Sequence, residues 1–296
     1  MLHDSTLEAL NFSLQSALES SLKITSAEPV SGGCINQAFK CQTNQNETYF
    51  IKLNTANKLS MFEAEARGLE ALKDSQAFEI PNVIALGKSI SQSYLILNYL
   101  ALTRLQDEFL FGQQLAQMHS QTAPQFGFDT DNFIGATPQR NTWHDNWFEF
   151  FMQQRLDYQC DLLEDNQSNQ KIRKLWPKFR RCCENLFADH QPVASLLHGD
   201  LWQGNVAQHG ATVCIFDPAT YYGDAETDLA MLVLFGSPSS DFYRGYESLK
   251  PIAEGHAQRR VFYNLYHVLN HSNLFGSSYS QQAFGMMQQI IQWDVN

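Results

Sequence analysis

Positive charge is scarce in this 296-residue sequence, and the scarcity excludes one class of partner. The chain carries 20 Lys and Arg against 31 Asp and Glu, a formal net charge of −11. Its basic residues form no stripe that could neutralise a phosphate backbone, which nucleic-acid binding requires. We therefore expect no nucleic-acid partner.

Long apolar runs are also missing. No segment approaches the ~20 apolar residues of a membrane-spanning helix, and the start, MLHDSTLEALNF, lacks the basic-then-apolar order of a signal peptide. No tract of Pro, Ser or Gly resembles a flexible linker. Since 44% of the residues are hydrophobic and only 17% are charged, burial can offset the entropy lost on ordering. The sequence predicts a compact cytoplasmic protein with no membrane partner.

Cysteine pairs at metal-binding spacing are absent as well. The six cysteines include no C-x-x-C pair, which disfavours both a zinc knuckle and a disulfide framework, and in a reducing cytosol most of them are expected to be thiols. His267 and His271, four residues apart on a predicted helix, offer two metal ligands without a third nearby. Packing and capping are therefore the favoured roles of these two histidines.

The chain changes character once, near residue 100. Before that point, short β-rich runs such as TYFIKL and SYLILNYL alternate with turns and one helix. Beyond it, helical periodicity dominates, as in QRRVFYNLYHVLNH. We predict an α+β fold with a small β-rich N-terminal lobe, residues 1–100, and a larger, mainly helical C-terminal lobe, residues 101–296.

One predicted helix, MFEAEARGLEALK, carries a charged residue on its apolar face. Glu65 falls inside the apolar stripe that Phe62 and Leu69 define, whereas Glu63 does not. A carboxylate in that position is costly unless a cation meets it. Lys52 lies on the inward face of a predicted strand, by the period of two. We predict that Lys52 and Glu65 form a pair.

A glycine-containing turn, SGGCIN, lies between two strand-like runs just before Lys52. Gly32 and Gly33 permit positive φ angles and a close approach of backbone N–H groups to a phosphate. Two glycines between strands are also typical of a plain hairpin turn. The presence of Lys52 and Glu65 downstream favours the phosphate-binding interpretation.

Three polar residues surround a predicted hairpin. Asp200 and Asn205 lie in LLHGDLWQGNVA, and Asp217 ends the apolar run VCIFD. A turn at residues 209–210 would place Asn205 and Asp217 at the same end of the hairpin, with Asn205 facing Cys214. Asp217 would then lie about 10 Å further along, at ~3.3 Å per residue. The chain must bend if both side chains are to reach one ion.

Given that bend, the three residues suit phosphoryl transfer. An Asn carbonyl and an Asp carboxylate are hard oxygen donors for Mg²⁺. Asp200, free of metal, could accept the proton of an attacking hydroxyl while Lys52 and the glycine turn hold nucleotide phosphates. Each residue alone also fits a turn or capping role. The joint order of glycine turn, strand Lys, helix Glu, D-x4-N and later Asp is that of kinases.

These motifs carry a family resemblance. HGDLWQGN and FDPATYYGDAETDLAM resemble the aminoglycoside phosphotransferase branch of the protein-kinase-like fold. More narrowly, the chain resembles the fructosamine/ketosamine-3-kinase family from about residue 29 to residue 279, in GGCIN, MFEAEARGLEAL, FGFDTDNFIGATPQRNTWHDNWFEFFMQQRL and LYHVLNHSNLFGSSY. The resemblance implies a two-lobed kinase-like fold and phosphorylation by ATP and Mg²⁺ of the 3-hydroxyl of a ketosamine: ribulosamine, erythrulosamine or fructosamine, free or protein-bound.

The resemblance also assigns roles to residues. It implies that Asp200 is the catalytic base, that Asn205 and Asp217 bind Mg²⁺, and that Lys52 with Glu65 orients the α- and β-phosphates. It further implies a hinge whose backbone contacts adenine, formed here by Asn98, Tyr99 and Leu100.

A ketosamine has a polyol and a cationic nitrogen, so its site should pair an aromatic face with a carboxylate. Trp202 is expected to supply that face, to pack the catalytic loop, or both. Asp224 or Glu226 is expected to face the amine, and Trp143 to lie at the pocket rim. Asp228 opens an apolar run and is expected to cap the helix that it begins.

Cys34 raises a redox hypothesis, because N–H groups that bind phosphate also favour a thiolate. Oxidation would then block nucleotide binding, whereas equal oxidant sensitivity of wild type and Cys34→Ser would contradict the idea; a small, inert turn residue is the favoured reading. Two other functions remain open at this point. They are an aminoglycoside- or choline-type small-molecule kinase and a non-catalytic nucleotide-binding regulatory module.

Overall fold

The N-terminal lobe is an antiparallel sheet flanked by two helices. The computed structural model describes residues 3–30 and 35–293, and among them five strands of this lobe pair in the order β1-β2-β3-β5-β4. The elements are α1 (Asp4–Leu18), β1 (Ile24–Val30), β2 (Gln37–Thr43), β3 (Thr48–Thr55), α2 (Leu59–Asp74), β4 (Val83–Lys88) and β5 (Gln92–Asn98).

Strand β3 lies in the middle of this sheet and separates two hydrophobic clusters. Ile51 and Leu53 pack beneath α1 with Leu10, whereas Phe50 packs with the α2 residue Phe62 on the other face. This alternation follows from the period of two in a pleated strand. It places the charged residue of the strand, Lys52, on the α2 side.

The C-terminal lobe is mainly helical, as predicted, and is larger. Its helices are α3 (Glu108–Met118), α4 (Trp147–Phe151), α5 (Tyr158–Asp161), α6 (Gln167–Leu186), α7 (Glu226–Leu234), α8 (Ser240–Glu247), α9 (His256–Phe275) and α10 (Ser277–Trp293), with a π-helical segment, Met152–Asp157, after α4. Its short strands are β6 (Thr122–Ala123), β7 (Asn132–Ile134), β8 (Thr137–Gln139), β9 (Ala194–Leu197), β10 (Val206–His209), β11 (Thr212–Ile215) and β12 (Tyr221–Gly223).

Aromatic packing forms the centre of this lobe. Trp147, Phe150 and Phe151 of α4 are buried against Phe262 and Tyr263 of α9. The aromatic cluster of WHDNWFEFF is therefore core on its helical part. The cysteines that the structure describes are buried thiols, as predicted.

The lobe boundary predicted at residue 100 remains a prediction. The chain passes from β5, which ends at Asn98, to α3, which begins at Glu108. Within residues 3–30 and 35–293, no helix combines the length and apolarity needed to span a bilayer.

The β10–β11 hairpin has a different register from the one predicted. His209 pairs with Thr212, so the turn lies at residues 210–211 rather than 209–210. Phe216 donates its backbone N–H to Asn205 O at 3.2 Å, which makes Phe216 the residue opposite Asn205. The prediction that Cys214 lies opposite Asn205 was therefore wrong by two positions. Asp217 consequently follows the partner of Asn205 directly, and the long gap that the sequence suggested does not exist.

Candidate active site

Lys52 and Glu65 form the predicted ion pair, with Nζ 2.6 Å from Oε1. Lys52 is 5% exposed on β3, flanked in the sheet by Ala38 and Leu95. Burial raises the pKa of the Glu65 carboxyl, and the attraction of Lys52 opposes that rise. Burial alone would lower the pKa of Lys52, but Asp217 and Glu65 outweigh it and raise that pKa. The lysine is therefore held as a cation in the cleft.

Asp217 reaches the same ammonium from the other lobe, where its Oδ1 accepts a hydrogen bond from Lys52 Nζ. Its backbone adopts a left-handed conformation, with φ at 58°. Such a conformation is uncommon for a residue with a Cβ, and it turns the chain sharply after β11. This is the bend that the metal-site prediction required. The side chain remains 46% exposed, on the cleft.

Asn205 links the two loops at the base of the cleft. It ends a 3-10 turn, Gln203–Asn205, and its Nδ2 donates to Asp200 O at 2.9 Å and to Asp217 O at 3.5 Å. Because the amide nitrogen is engaged, Oδ1 is the atom that can bind a cation. Together with the exposed Asp217 carboxylate it makes a donor set of hard oxygens, which fits Mg²⁺.

Asp200 lies in the loop after β9 and lines the same cleft. Burial raises the pKa of its carboxyl to about 7, and the negative charges of Asp217 and Asp228 add to the rise. A carboxylate with a pKa near neutrality is suited to accept a proton from a hydroxyl during reaction.

Asp228 holds the loop after β9 that carries Asp200, which we call the catalytic loop. It does not cap its own helix, which corrects the sequence prediction. Oδ2 accepts from His198 N at 2.8 Å and Oδ1 from Gly199 N at 2.9 Å. His119 Nε2 lies 3.3 Å from Oδ2. As predicted, the Asp228 carboxylate accepts hydrogen bonds from backbone N–H groups. These groups belong to the neighbouring loop, because the first turn of α7 packs beneath that loop.

The loops carrying Asp200 and Asp217 are bound directly to each other. His198 Nε2 lies 2.9 Å from Phe216 O, and Ala219 N donates to His198 O at 2.9 Å. Gly199 has φ at 80°, and a Cβ there would lie 2.1 Å from Ala219 O. The glycine therefore permits both the turn and the close contact between the loops.

The predicted hinge residues line the cleft, whose volume is about 750 Å³. The side chain of Asn98 is held by the protein, since its Oδ1 accepts from Asn82 N at 2.6 Å. Tyr99 and Leu100 continue the same wall. Adenine contact through this segment remains a prediction.

The predicted phosphate turn, with Gly32, Gly33 and Cys34, lies outside the described residues. The residues on either side of it, Val30 and Ile35, both line the cleft.

Trp202 lies on the cleft and is 37% exposed. Its ring covers Gly204, where a Cβ would lie 2.3 Å from the indole, and it meets Phe235 edge-on with centroids 6.1 Å apart. Trp202 thus packs the catalytic loop and also presents a face to the cleft. Substrate contact through that face remains a prediction.

Asp224 and Glu226 do not line the cleft, so the prediction that either faces a substrate amine is wrong. Asp224 is buried, with Oδ2 2.6 Å from His190 Nε2 and 2.5 Å from the Tyr263 hydroxyl. Glu226 is buried in a bidentate pair with Arg259, at 2.8 and 2.7 Å. Both carboxylates bind within the C-terminal lobe.

Trp143 is likewise absent from the cleft wall, which corrects its placement at the rim. Its ring lies 6.1 Å from that of Tyr222 and packs against the backbone of Gly127. The Trp143 ring is therefore in contact with the Tyr222 ring and the Gly127 backbone.

The two histidines of α9 pack against aromatic rings, which agrees with the favoured packing role: His267 lies against Tyr266 and His271 against Phe235. His267 is buried, and His271 Nδ1 donates to His267 O at 2.7 Å. Burial lowers the pKa of His267 to about 3.

A buried polar network beside the cleft was missed by the sequence reasoning. Gln139 Nε2 donates to Asn132 Oδ1 at 2.8 Å and to Ala219 O at 3.0 Å, while Asn132 Nδ2 donates to Thr220 O at 2.7 Å. Tyr266 donates to Gln139 Oε1 at 2.7 Å. The network anchors the β7–β8 hairpin to the loop after Asp217. The available signal was two amides that oppose each other across NFIGATPQ.

Comparisons with known proteins agree with this geometry. The model of the fructosamine kinase family matches residues 7–293. The probable ketoamine kinase of Synechocystis sp. is 46% identical over 275 residues, 91% of each chain. The chloroplastic protein-ribulosamine 3-kinase of Arabidopsis thaliana is 38% identical over 274 residues, 91% of this chain and 83% of that one.

Solved structures extend the likeness to the fold. A fructosamine-3-kinase candidate of Haemophilus somnus superposes with a TM-score of 0.86 at 27% identity, over 95% of this chain and 96% of that one. A thermostable mutant of an aminoglycoside phosphotransferase gives 0.58 at 16% identity, over 96% and 98%. The fold is therefore the two-lobed, protein-kinase-like fold of phosphotransferases. The chain belongs to the fructosamine kinase family.

Proposed function

We propose that the protein transfers the γ-phosphoryl group of ATP to the 3-hydroxyl of a ketosamine. Family membership supports ketosamine phosphorylation by ATP. The Arabidopsis relative is named as a protein-ribulosamine 3-kinase, so a ribulosamine is the first substrate to assay.

One observation carries the assignment of the site. Lys52 lies between Glu65 of its own lobe and Asp217 of the other, and Asn205 bonds to the backbone of both Asp200 and Asp217. A cation for phosphates, two oxygen ligands for a metal ion and a carboxylate without a metal role therefore converge in one cleft.

The proposed reaction follows from that arrangement. Lys52 binds the α- and β-phosphates, and Asn205 with Asp217 would hold Mg²⁺, which offsets charge that develops during transfer. Asp200 accepts the proton of the 3-hydroxyl as its oxygen attacks the γ-phosphorus. The bond from that phosphorus to the bridging oxygen breaks, and ADP leaves. Trp202 supplies an apolar face for the sugar.

The cellular setting is part of the proposal. We place the enzyme in the cytoplasm, where ATP is available and its buried thiols stay reduced. The net charge of −11 supports a small-molecule or protein-bound ketosamine, rather than a nucleic acid, as partner.

A substrate panel tests the proposal. The purified protein is assayed with ATP and Mg²⁺ on the ribulose, erythrulose and fructose adducts of Nα-acetyl-lysine, with choline and an aminoglycoside as competing acceptors. We expect the highest kcat/KM on a ketosamine, with the phosphate on carbon 3 by NMR. More efficient transfer to choline or the aminoglycoside, or no transfer at all, would overturn it.

A further inference from the structure

A row of aromatic side chains leads from the cleft across the surface of the C-terminal lobe. We call it the aromatic ridge; it consists of Trp202, Phe235, His271, Phe275 and Tyr279. Successive ring centroids lie 6.1 Å apart from Trp202 to Phe235 and 5.1 Å from Phe235 to His271. From His271 the row continues to Phe275 at 5.5 Å and to Tyr279 at 5.1 Å.

Tyr279 packs against the core of the C-terminal lobe, but core packing does not explain the more exposed rings of the ridge. Phe235 is 42% exposed and Phe275 57% exposed. A continuous exposed apolar surface typically marks an interaction site, whereas isolated exposed side chains need no explanation. Phe12 of α1, at 73% exposed, is of the isolated kind, because it takes part in none of the ring contacts of the described chain.

Two contacts make the ridge continuous with the cleft. Trp202, two residues after the proposed base, belongs to both. Leu274, between the ridge residues of α9, packs at Gly135 of the cleft wall, where a Cβ would lie 3.3 Å from Leu274 Cδ1. The ridge therefore begins at the cleft wall and leads away from it.

The ring of His271 is fixed in this row. Its Nδ1 donates to His267 O at 2.7 Å, one helical turn back on α9. It bridges Phe235, at the end of α7, to the two outer rings. Three separate parts of the chain, the catalytic loop, the end of α7 and the α9–α10 junction, thus build one surface.

We propose that the aromatic ridge binds the carrier of the ketosamine, a peptide segment whose apolar or aromatic side chains flank the modified lysine. The inference rests on the proposed function. In this proposal the sugar hydroxyl lies at Asp200 and the amine end lies along Trp202, which lines the same cleft and begins the ridge. The five bonds from Cα to Nζ of an extended lysine span roughly 6 Å, at an advance of ~1.3 Å per bond, which is about one ring spacing of the ridge.

The chemistry of the ridge favours a peptide over a free amino acid. A free amino acid would place its charged carboxylate and ammonium against apolar rings. These rings offer no ion-pair partner to either group. A peptide replaces these charges with amides and adds neighbouring side chains that rings bind well. The ridge therefore binds the apolar residues that flank a lysine within a polypeptide.

The test compares two substrates and two variants. One substrate is the ribulose adduct of Nα-acetyl-lysine amide, and the other carries the same adduct on a lysine flanked by Phe and Leu in a short peptide. We expect Phe275→Ala to lower kcat/KM for the peptide about fivefold or more, through KM, as loss of an aromatic contact does. Turnover of the small adduct should stay within about twofold. Phe12→Ala, which removes a more exposed ring on the other lobe, should change neither.

The other possible outcomes contradict either this inference or the proposed function. An equal loss on both substrates gives Phe275 a structural role and overturns the inference, as does an unchanged peptide kcat/KM. A concentration-dependent dimer in sedimentation that Phe275→Ala abolishes would make the ridge an interface between two copies of the chain. Absence of wild-type turnover on the small adduct would instead contradict the proposed function, so the two failures are distinguishable.

Discussion

Three carboxylates share the cleft with one ammonium, and burial separates their roles. Glu65 is enclosed with Lys52, and Asp217 stays half exposed on the opposite lobe. Asp200 lies near Asp217 without a lysine partner of its own, and its burial raises its pKa to about 7. The carboxylate without a cation partner is the one that can take up a proton.

Asp200→Asn keeps the volume of the side chain but removes the proton acceptor. We expect kcat to fall about 10³-fold, with ATP affinity nearly unchanged, since Asp200 does not contact Lys52. Steady-state kinetics and calorimetric titration with nucleotide measure the two. Asp241→Asn, on an exposed position of α8, is the matched control. Turnover within tenfold of wild type would remove the role of the base.

The pH profile should report the same group. Because the base works only when ionised, activity is present above the pKa of Asp200 and is lost as pH falls through it. Burial and the charges of Asp217 and Asp228 place that pKa at about 7, and a cation on Asp217 offsets part of the rise. We expect the acid limb of kcat/KM at or below pH 7. A kcat/KM that increases on acidification would contradict this.

Among the elements, β3 and α2 fix the position of Lys52, the cation proposed to bind phosphate. The period of two turns Lys52 toward α2, and the helical stripe turns Glu65 toward β3. Neither residue fits the apolar character of its own face. Their pairing satisfies both, and it could be predicted because each conflict is local to one element.

Removing Glu65 should weaken nucleotide binding. Glu65→Ala leaves Lys52 with Asp217 as its carboxylate partner, which draws the ammonium away from the phosphates. We expect KM for ATP to rise about tenfold, equivalent to ~1.4 kcal/mol. Glu63→Ala is the control, because Glu63 is exposed on the same helix. Equal effects of the two substitutions in the ATP titration would contradict the pairing role.

Gly199, beside Asp200, and Gly210, in the β10–β11 turn, permit a matched comparison. Gly199 and Gly210 both have positive φ, at 80° and 57°. A Cβ at Gly199 meets Ala219 O at 2.1 Å, whereas a Cβ at Gly210 has no neighbour within 4 Å. In urea unfolding, Gly210→Ala should cost about 1–2 kcal/mol. Gly199→Ala should cost clearly more and should also lower kcat. Equal costs would mean that the contact between the loops is unimportant.

At the scale of the whole molecule, the site lies between separately packed lobes. One hydrophobic cluster underlies α1 in the N-terminal sheet, and another fills the helical lobe around α4, α9 and α10. A third joins α2 with α3 and the β10–β11 hairpin, and so connects the lobes beside the cleft. The chain thus folds around apolar cores, and the proposed metal ligands lie at the cleft.

Chelation of divalent cations should therefore stop turnover without unfolding the protein. We expect EDTA to abolish phosphoryl transfer, because Asn205 and Asp217 would lose the ion that they are proposed to hold. The unfolding temperature without nucleotide should shift by less than ~1 °C, since a weakly held ion adds little stability. Calorimetry measures the shift, and added Mg²⁺ should restore activity. A drop of several degrees would instead show a structural metal.

The binding partners of the acidic residues that follow Asp217 could not be predicted from the sequence. Glu226 binds Arg259, 33 residues further along the chain, and Asp224 binds Tyr263, 39 residues further along. Asp228 reaches back 29 and 30 residues to Gly199 and His198. A carboxylate near a motif has many chemically equivalent partners at such separations. Only the packing of α7 against α9 and the catalytic loop selected among them.

The sequence by itself determined the lobes, the Lys52–Glu65 pair and the order of the kinase motifs, because each depends on a period or a spacing within a few adjacent turns of chain. The tertiary structure decided the turn of the β10–β11 hairpin, the left-handed backbone at Asp217 and the aromatic ridge. These features depend on contacts between segments far apart in the chain. Their energies arise only when the whole fold brings the segments together.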